Sequence, residues 1–332
     1  MASKVRYSKE FLLGLYQKMI RVRYFEEKAA ECFTKGMLAG NIHLCIGQES
    51  SVIGSCAALE ERDFITSTHR GHGHCIGKGA KTDKAMAELF GKKTGYCKGK
   101  GGSMHIVDAD KGILGANGIV GAGIPIAAGS ALASKIMGTD EVTMCFFGDA
   151  AANQGTFHEA INMAAAWKLP VVFLCENNGY GVSVAIQGVT NTETIAVRAK
   201  AYDIPGVTVD GSDVLNVYET VKKAVEHVRS GKGPSLVEVM VYRWQGHYCG
   251  DPASYRPKEY VENAHLKDPI KLFKDKLIST KQASKAELEK LEQEIFAEIE
   301  QAENFAVNSD YPDISEAFTD VYSSDNERSV AR

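Results

Sequence analysis

The feature that most constrains the fold is a pair of short apolar segments separated by one amphipathic helical stretch. The segments span residues 142–147 and 171–175, and residues 153–168 between them place apolar side chains at helical spacing. Continuous apolar runs of this length are typical of parallel strands that are buried on both faces. This part of the chain therefore predicts a strand–helix–strand unit in a parallel sheet, with helices covering both faces.

Further strands and helices extend this pattern along the chain. We predict a helix rich in small side chains at residues 121–137 and an amphipathic helix at residues 213–230. Residues 207–209 and 236–242 read as strands. The alternation predicts a doubly wound α/β fold with a mostly parallel sheet. Residues 36–125, which are rich in glycine and histidine, read mainly as long functional loops.

Helical segments flank the α/β region on both sides. An N-terminal stretch with apolar side chains at helical spacing precedes it, and Ser284 and Glu287 form a capping box at the start of a charged C-terminal helix. We therefore predict an N-terminal helical segment at 1–35, an α/β domain at 36–265, and a helical C-terminal extension with its tail at 266–332.

The composition narrows the class of protein. Hydrophobic residues make up 44% of the 332 residues and charged residues 24%, which is typical of a globular protein with a packed core. The net charge of −4 gives no positive field for nucleic acid or an anionic membrane. The 8 cysteines include no CxxC pair, and the first residues contain no long apolar run. We therefore predict a cytoplasmic protein with reduced thiols that binds neither nucleic acid nor membranes.

Polar residues follow the two central apolar segments. Asp149 comes shortly after the first and Asn178 shortly after the second, about one strand–helix–strand unit apart. Neighbouring parallel strands end at the same edge of a sheet, where open α/β folds bind ligands. Carboxylate and amide oxygens suit Mg²⁺, which takes its remaining ligands from water and phosphate. The pair predicts a diphosphate held through a metal, although such residues are also common in turns at strand ends.

Other polar residues allow more than one interpretation. The histidine-rich segment at residues 69–75, called the histidine cluster below, predicts either a zinc site or a diphosphate clamp built on the Arg70 guanidinium. Lys98 and Lys100 are either further phosphate ligands or solvated loop charges. His43 and His247 lie in loop-like segments, where a histidine is either structural or catalytic. The histidine cluster comprises His69, Arg70, His72, His74 and Cys75.

Small side chains repeat every four residues along the predicted helix at 121–137. Ala127 and Ala131 form one such row, and Gly129 and Ala133 form another. Rows of small residues let a helix approach its neighbour closely. The neighbour is either the sheet of the same chain or a partner chain, and the sequence leaves both possibilities open.

Five separate motifs make the chain resemble the alpha subunits of thiamin-diphosphate-dependent 2-oxo acid dehydrogenases. The resemblance extends over roughly residues 8–300. Within that family, residues 68–79 and residues 146–162 look most like acetoin dehydrogenase alpha subunits. The five motifs lie at residues 40–49, 99–105, 116–125, 148–181 and 242–256.

The resemblance implies a thiamin-diphosphate-binding fold of the diphosphate-binding type and a set of ligands. Asp149 and Asn178 would ligate Mg²⁺ through their side chains, and Tyr180 through its carbonyl. Arg70 would bind the diphosphate, with His69 in the position that tyrosine usually holds. Further cofactor contacts would come from His247, from the backbone of Gly148, Ala150 and Ala151 at the phosphates, and from the backbone of Gly118 and Val120 at the aminopyrimidine.

The resemblance also implies a reaction and its partners. His43 and His247 would face the reacting carbon and stabilise or shuttle protons. The expected activity is cleavage of acetoin to acetaldehyde and a hydroxyethyl adduct, followed by reductive acetylation of a lipoyl-bearing dihydrolipoamide acetyltransferase. The alternative is oxidative decarboxylation of pyruvate, and a third possibility is a non-catalytic scaffold that binds Mg²⁺–diphosphate. A beta subunit, in an α2β2 heterotetramer, would supply the glutamate that activates the cofactor, so we expect the chain alone to be inactive.

Several residues depart from the pattern of the family, among them Tyr248, which stands where the first regulatory serine is usual and makes control by a kinase there doubtful. Ala150 stands where glycine is usual, a change that the backbone tolerates if its φ angle is not positive. His69 stands where tyrosine is usual, which predicts a pH-sensitive phosphate contact.

Overall fold

Six parallel strands form the central sheet of the structure, a computed structural model that describes residues 7–320. Along the sheet their order is β2-β1-β3-β4-β8-β7, and the remaining two strands form a small antiparallel pair. This arrangement confirms the doubly wound, mostly parallel sheet. The strands are β1 (Phe64–Thr66), β2 (Ile113–Gly115), β3 (Thr143–Gly148), β4 (Val171–Asn177), β5 (Tyr180–Gly181), β6 (Val184–Ala185), β7 (Gly206–Asp210) and β8 (Ser235–Met240).

Helices cover both faces of the sheet. The helices are α1 (Lys9–Thr34), α2 (Glu49–Cys56), α3 (His72–Lys78), α4 (Thr82–Leu89), α5 (Gly123–Met137), α6 (Gly155–Ala166), α7 (Val214–Arg229), α8 (Lys258–Leu266), α9 (Pro269–Ser279) and α10 (Lys285–Asn308).

The two central strands are mostly apolar because each of their faces packs into a hydrophobic core. Phe146 and Leu174 belong to the core that contains side chains of α1, α2 and α7. Their neighbours Phe147 and Phe173 belong to the core on the other face, with α5 and α6. Side chains that alternate along a strand point to opposite faces, so both cores are built from one short segment.

Residues 36–125 are only partly the loops that the sequence predicted: residues 98–105 are irregular, but helices and strands interrupt other parts of the region. This region contains α2, α3, α4 and two of the strands. All eight residues of α2 are buried, and so are six of the seven residues of α3, which begins at His72. A helix that is buried all round has no polar face opposite its apolar face. The amphipathic periodicity that predicts a helix is therefore missing.

The N-terminal and C-terminal helices pack against each other. Ion pairs join α1 to α10, including Arg21–Glu298 at 2.9 Å and Lys28–Glu300 at 2.6 Å. The predicted capping box begins α10, because Ser284 and Glu287 exchange side-chain-to-backbone hydrogen bonds of 3.2 and 2.8 Å. The limits of the three predicted regions remain predictions, and their terminal parts, 1–6 and 321–332, lie outside the described residues.

All of the cysteines are free thiols, as expected for a chain without disulfides. Within residues 7–320, no helix combines the length and the apolar character that crossing a membrane requires.

A buried ion pair holds the loop that precedes α2. Arg23 of α1 lies 2.6 Å from Glu49, and the same carboxylate accepts a hydrogen bond from the backbone of Gly47. Both charged side chains are buried. Without Glu49, Arg23 keeps only the less buried carboxylate of Asp268, at 3.2 Å, so most of the compensation of its buried charge is lost.

We expect Glu49→Ala to lower the free energy of unfolding by about 3–5 kcal/mol. The matched control is Asp275→Ala, which removes one partner of the exposed Lys271–Asp275 pair and should cost about 1 kcal/mol or less. Urea denaturation of the full chain measures both. Equal losses in the two variants would contradict a structural role for the buried pair.

Candidate active site

A cavity of about 270 Å³ opens at the carboxyl ends of the central strands. Its lining includes Ser67, which follows β1, Gly148 and Asp149 at the end of β3, and Asn178 just after β4. Strands β3 and β4 are parallel neighbours, with Gly148 paired to Glu176. The sheet therefore brings together the two residues that the sequence predicted to meet at this edge.

Asp149 has one carboxylate oxygen without a partner. Its Oδ1 accepts a hydrogen bond of 3.3 Å from the backbone N–H of Asn178. Its Oδ2 is buried and has no hydrogen-bond partner within the described part of the chain. Burial raises the pKa of the Asp149 carboxyl to about 6, because the charged form loses its hydration. An unpaired, desolvated carboxylate oxygen is the chemistry that a divalent cation satisfies.

Two further oxygens lie beside this carboxylate. The Asn178 side chain accepts a hydrogen bond from the backbone N–H of Tyr180 at 3.3 Å, which leaves a lone pair on its Oδ1. The carbonyl of Tyr180 accepts from Arg243 at 3.4 Å and also keeps a lone pair. Asp149, Asn178 and Tyr180 all line the cavity, and they offer the oxygen-only ligand set that suits Mg²⁺.

Two buried arginines bring positive charge to the same cavity. Arg70 donates hydrogen bonds to the carbonyls of Leu44 at 2.9 Å and His247 at 2.6 Å, and Arg243 donates to the carbonyl of Val182 at 2.9 Å. Neither forms an ion pair with a carboxylate of residues 7–320. Burial, followed by the charge of Arg243, lowers the pKa of Arg70 to about 10. Two buried guanidinium groups without a counter-charge favour an anionic ligand such as a diphosphate.

Arg243 was not among the predicted site residues. The signal that pointed to this region was the motif at residues 242–256, but an arginine next to an aromatic residue in an irregular segment has no distinctive spacing. Its role depends on burial, because it is only 1% exposed, and burial of an unpaired charge cannot be read from sequence.

Three histidines form a cluster beside Arg70. The ring centroids of His43 and His69 are 4.7 Å apart, and those of His43 and His247 are 5.0 Å apart. Burial, together with the charge of Arg70, lowers the pKa to about 3 for His43, about 2 for His69 and about 4 for His247. All three are therefore neutral near pH 7. His69 and His247 line the cavity, whereas His43 packs against both from outside its lining.

The zinc interpretation of the other histidines was wrong. His72 contacts Glu26 at 2.9 Å and Ser103 at 2.8 Å, and His74 contacts Ser67 at 2.8 Å. These side chains do not converge on one point, and among the residues of the described structure only His43, His69 and His247 place nitrogens within 4.8 Å of one another.

Lys98 and Lys100 are not phosphate ligands of this cavity. Both pair with the carboxylate of Asp320, at 2.8 and 2.9 Å, and neither lines the cavity. The interpretation as surface loop charges is the one that fits.

The segment between β2 and α5 forms one side of the cavity. Asn117, Ile119, Val120 and Gly121 line it, but Gly118 does not. Gly121 has a φ angle of +83°, a conformation that favours glycine. The side chain of Ile119 is 72% exposed at the rim.

The departure at Ala150 is accommodated by a glycine on the facing segment. Gly148, Ala150 and Ala151 line the cavity, and Ala150 is not among the residues with positive φ. A Cβ atom added at Gly181 would lie 2.6 Å from the Cβ of Ala150. The methyl group at position 150 therefore fits because position 181 has none.

Comparisons with known proteins identify the family of the chain. A family model described as "Dehydrogenase E1 component" matches residues 17–315. The alpha subunit of acetoin:2,6-dichlorophenolindophenol oxidoreductase is 53% identical in Bacillus subtilis, covering 95% of this chain and 94% of that protein. The subunit of the same name in Cupriavidus necator is 44% identical, covering 95% of each. The pyruvate dehydrogenase E1 alpha subunit of Rhizobium meliloti is 41% identical, covering 95% and 91%. The chain therefore belongs to the dehydrogenase E1 component family, for which thiamin diphosphate is the implied cofactor.

Proposed function

We propose that the chain is the alpha subunit of an acetoin dehydrogenase that uses thiamin diphosphate and Mg²⁺. The observation that carries the proposal is one cavity in which an unpaired carboxylate oxygen of Asp149 lies near two buried, unpaired arginines. A magnesium diphosphate satisfies both charges at once. The choice of acetoin is supported by the two relatives named as acetoin oxidoreductase alpha subunits, at 53% and 44% identity.

The cavity offers ligands for each part of a metal diphosphate. Asp149 Oδ2, Asn178 Oδ1 and the Tyr180 carbonyl would hold Mg²⁺, and phosphate oxygens and water would supply its remaining ligands. Arg70 and Arg243 would neutralise the diphosphate. When bound, thiamin diphosphate supplies the carbon nucleophile and the electron sink of the reaction.

His247 is held in the tautomer that donates to the substrate. Arg70 can only donate hydrogen bonds, and its Nη2 lies 3.2 Å from His247 Nδ1, so this nitrogen accepts. The proton of the neutral ring is then on Nε2, where it is available to the oxygen of a bound carbonyl substrate. His43 packs against this ring and has a buried Nδ1 without a partner within residues 7–320. Both histidines are neutral near pH 7, and because the lone pair of His247 Nδ1 is engaged by Arg70, His43 is the one left to take up a proton.

An apolar surface on α5 and α6 is the proposed contact with a beta subunit. The two rows of small residues on α5 face different neighbours. Ala127 and Ala131 are buried against the sheet, whereas Gly129 and Ala133 are exposed. The docking face, as we call this surface, consists of the exposed residues Ile126, Gly129, Ala133, Ile136, Met137, Met163 and Trp167. Exposed apolar area of this kind is typical of a protein interface.

The partners and location predicted from the sequence complete the proposal. An α2β2 heterotetramer would place the beta subunit on the docking face, beside the exposed Ile119 at the cavity rim. The beta subunit would supply the activating glutamate, and the lipoyl-bearing dihydrolipoamide acetyltransferase would receive the acetyl group. The cytoplasmic location remains a prediction.

Pyruvate is the second candidate substrate. Relatives named as pyruvate dehydrogenase E1 alpha subunits, in Rhizobium meliloti and Homo sapiens, are 41% and 42% identical over about the same residues. The site assignments are the same for both substrates, because both reactions place the same cofactor in the same cavity.

We expect the complex with the beta subunit to oxidise acetoin faster than pyruvate in a dye-linked assay, and to release acetaldehyde. Both reactions should require added thiamin diphosphate and Mg²⁺ after treatment with EDTA. A preference for pyruvate would reject acetoin as the substrate and retain the site. Full activity in metal-free, cofactor-free complex would reject the site itself.

Asp149→Asn should have opposite effects on function and stability. In the complex, the cofactor-dependent activity should fall to the level measured without thiamin diphosphate, because the metal loses its anionic ligand. In the cofactor-free chain, the variant removes a buried, unpaired charge and should stabilise the fold at pH 7.5 by about 1–3 kcal/mol.

The pH dependence of this stabilisation follows from the direction of the pKa shift. The pKa of Asp149 is raised in the folded chain, to about 6, so the destabilising charge develops as the pH rises towards that value. The stability advantage of Asp149→Asn should therefore shrink at pH 4, where the wild-type carboxyl is largely protonated. Denaturation at both pH values measures it, and a variant that is less stable than wild type at pH 7.5 would contradict the unpaired state of this carboxylate.

Gly129→Glu should prevent assembly without disturbing the chain. A Cβ atom at Gly129 meets nothing within 4 Å, and glutamate is a better helix former than glycine by up to about 1 kcal/mol. The charged side chain would, however, point into the proposed interface. The matched control is Gly14→Glu in α1, where a Cβ atom also meets nothing within 4 Å. Co-purification with the beta subunit should be lost only in Gly129→Glu, and its retention would remove the docking face from the interface.

A further inference from the structure

A chain of three polar side chains runs from the sheet to the proposed metal ligand Asn178. Glu176 lies in β4, and its Oε2 accepts a hydrogen bond of 3.2 Å from the side-chain Nε2 of Gln48. Gln48 Oε1 in turn accepts a hydrogen bond of 3.4 Å from Asn178 Nδ2. All three side chains are buried and all three line the cavity.

The direction of these hydrogen bonds is set by the residue at the far end. Glu176 Oε2 accepts from the side-chain NH₂ group of Gln48, which fixes the orientation of the Gln48 amide. The Oε1 of Gln48 then faces Asn178 and accepts a hydrogen bond from the NH₂ group of Asn178. The amide oxygen of Asn178 is left facing away from Gln48, where it also accepts from the backbone of Tyr180.

An amide side chain is a metal ligand in only one of its two orientations. Rotated by 180°, Asn178 would present an NH₂ group to the cation, and its dipole would repel the charge. Residues behind the ligands of a metal commonly fix the orientation of those ligands and tune its affinity.

We propose that Glu176 and Gln48 are positioning residues that hold the Asn178 amide oxygen towards the metal ion. This inference rests on the proposed magnesium site. It adds two residues that lie within the motifs at 40–49 and 148–181 but do not belong to the predicted ligand set. Glu176 Oε1 is buried and has no partner within the described structure, and Oε2, which accepts from Gln48, also lies 3.2 Å from Nε2 of the buried His74.

The test measures metal affinity rather than turnover. The complex of this chain with its beta subunit, freed of metal and supplied with thiamin diphosphate, is titrated with Mn²⁺, and free Mn²⁺ is followed by electron paramagnetic resonance. We expect Glu176→Gln and Gln48→Leu each to weaken Mn²⁺ binding by about 10- to 100-fold. Gln48→Leu changes no charge, so its effect separates ligand orientation from the simple loss of a negative charge at position 176.

The double variant tests whether the two residues act in series. Once one link is broken the other has nothing to orient, so Gln48→Leu with Glu176→Gln should bind Mn²⁺ within about twofold of the weaker single variant. Losses that multiply would overturn the proposal. If one single variant fails to fold in thermal denaturation, the other decides the outcome alone, because either link is sufficient to break the chain of hydrogen bonds.

A matched control lies on the neighbouring strand. Glu238 of β8 is a buried carboxylate that accepts from the side chain of Asn177 at 2.7 Å, and Asn177 does not line the cavity. Glu238→Gln should leave Mn²⁺ affinity within about twofold of wild type. An equal loss in Glu238→Gln, or wild-type affinity in Gln48→Leu, would overturn the proposal. Failure of the wild-type complex to bind Mn²⁺ more tightly with thiamin diphosphate than without it would instead reject the magnesium site on which the proposal rests.

Discussion

The parallel pairing of β3 with β4 is the constraint on which the rest of the site depends. It places the ends of two strands side by side, so that Asp149 and Asn178 are joined by a hydrogen bond although they are distant in sequence. The strands are held in register by apolar side chains that fill a core on each face. A polar site of this precision is therefore supported by the most apolar segments of the chain, because a one-residue slip would exchange the two faces and separate the two side chains.

The site contains charges that the chain itself does not balance. Asp149 has a carboxylate oxygen without a partner in the described residues, while Arg70 and Arg243 donate mainly to neutral carbonyls. The negative and positive groups lie in one cavity but do not neutralise each other directly. A ligand with a cationic and an anionic part satisfies both, which explains why folding alone leaves these groups unpaired and why their cost in stability is tolerated.

How far the sequence predicts the structure differs between its parts. The strands at the centre were predictable, because burial on both faces makes a strand apolar at most positions. Asp149 and Asn178 followed from them, because parallel strands end together. The helices α2 and α3 were not predictable from periodicity, since each is buried nearly all round and contains glycine, and α3 also contains histidine. Gln48 and Arg243 were missed for a related reason: their roles arise from contacts across more than 60 residues of sequence, and no local spacing encodes them.

The close approach of Ala150 and Gly181 couples the side chains that these two positions can accept. A Cβ atom at position 181 would overlap the methyl group of Ala150, and replacing Ala150 by glycine would remove that clash. Only three of the four combinations of alanine and glycine at these positions are compatible with the present backbone. A lineage that acquires alanine at position 150 therefore needs glycine at 181 beforehand, and once both are present the glycine can no longer be exchanged freely. The order of substitutions in this lineage is thus constrained by a single contact between two segments of the cavity wall.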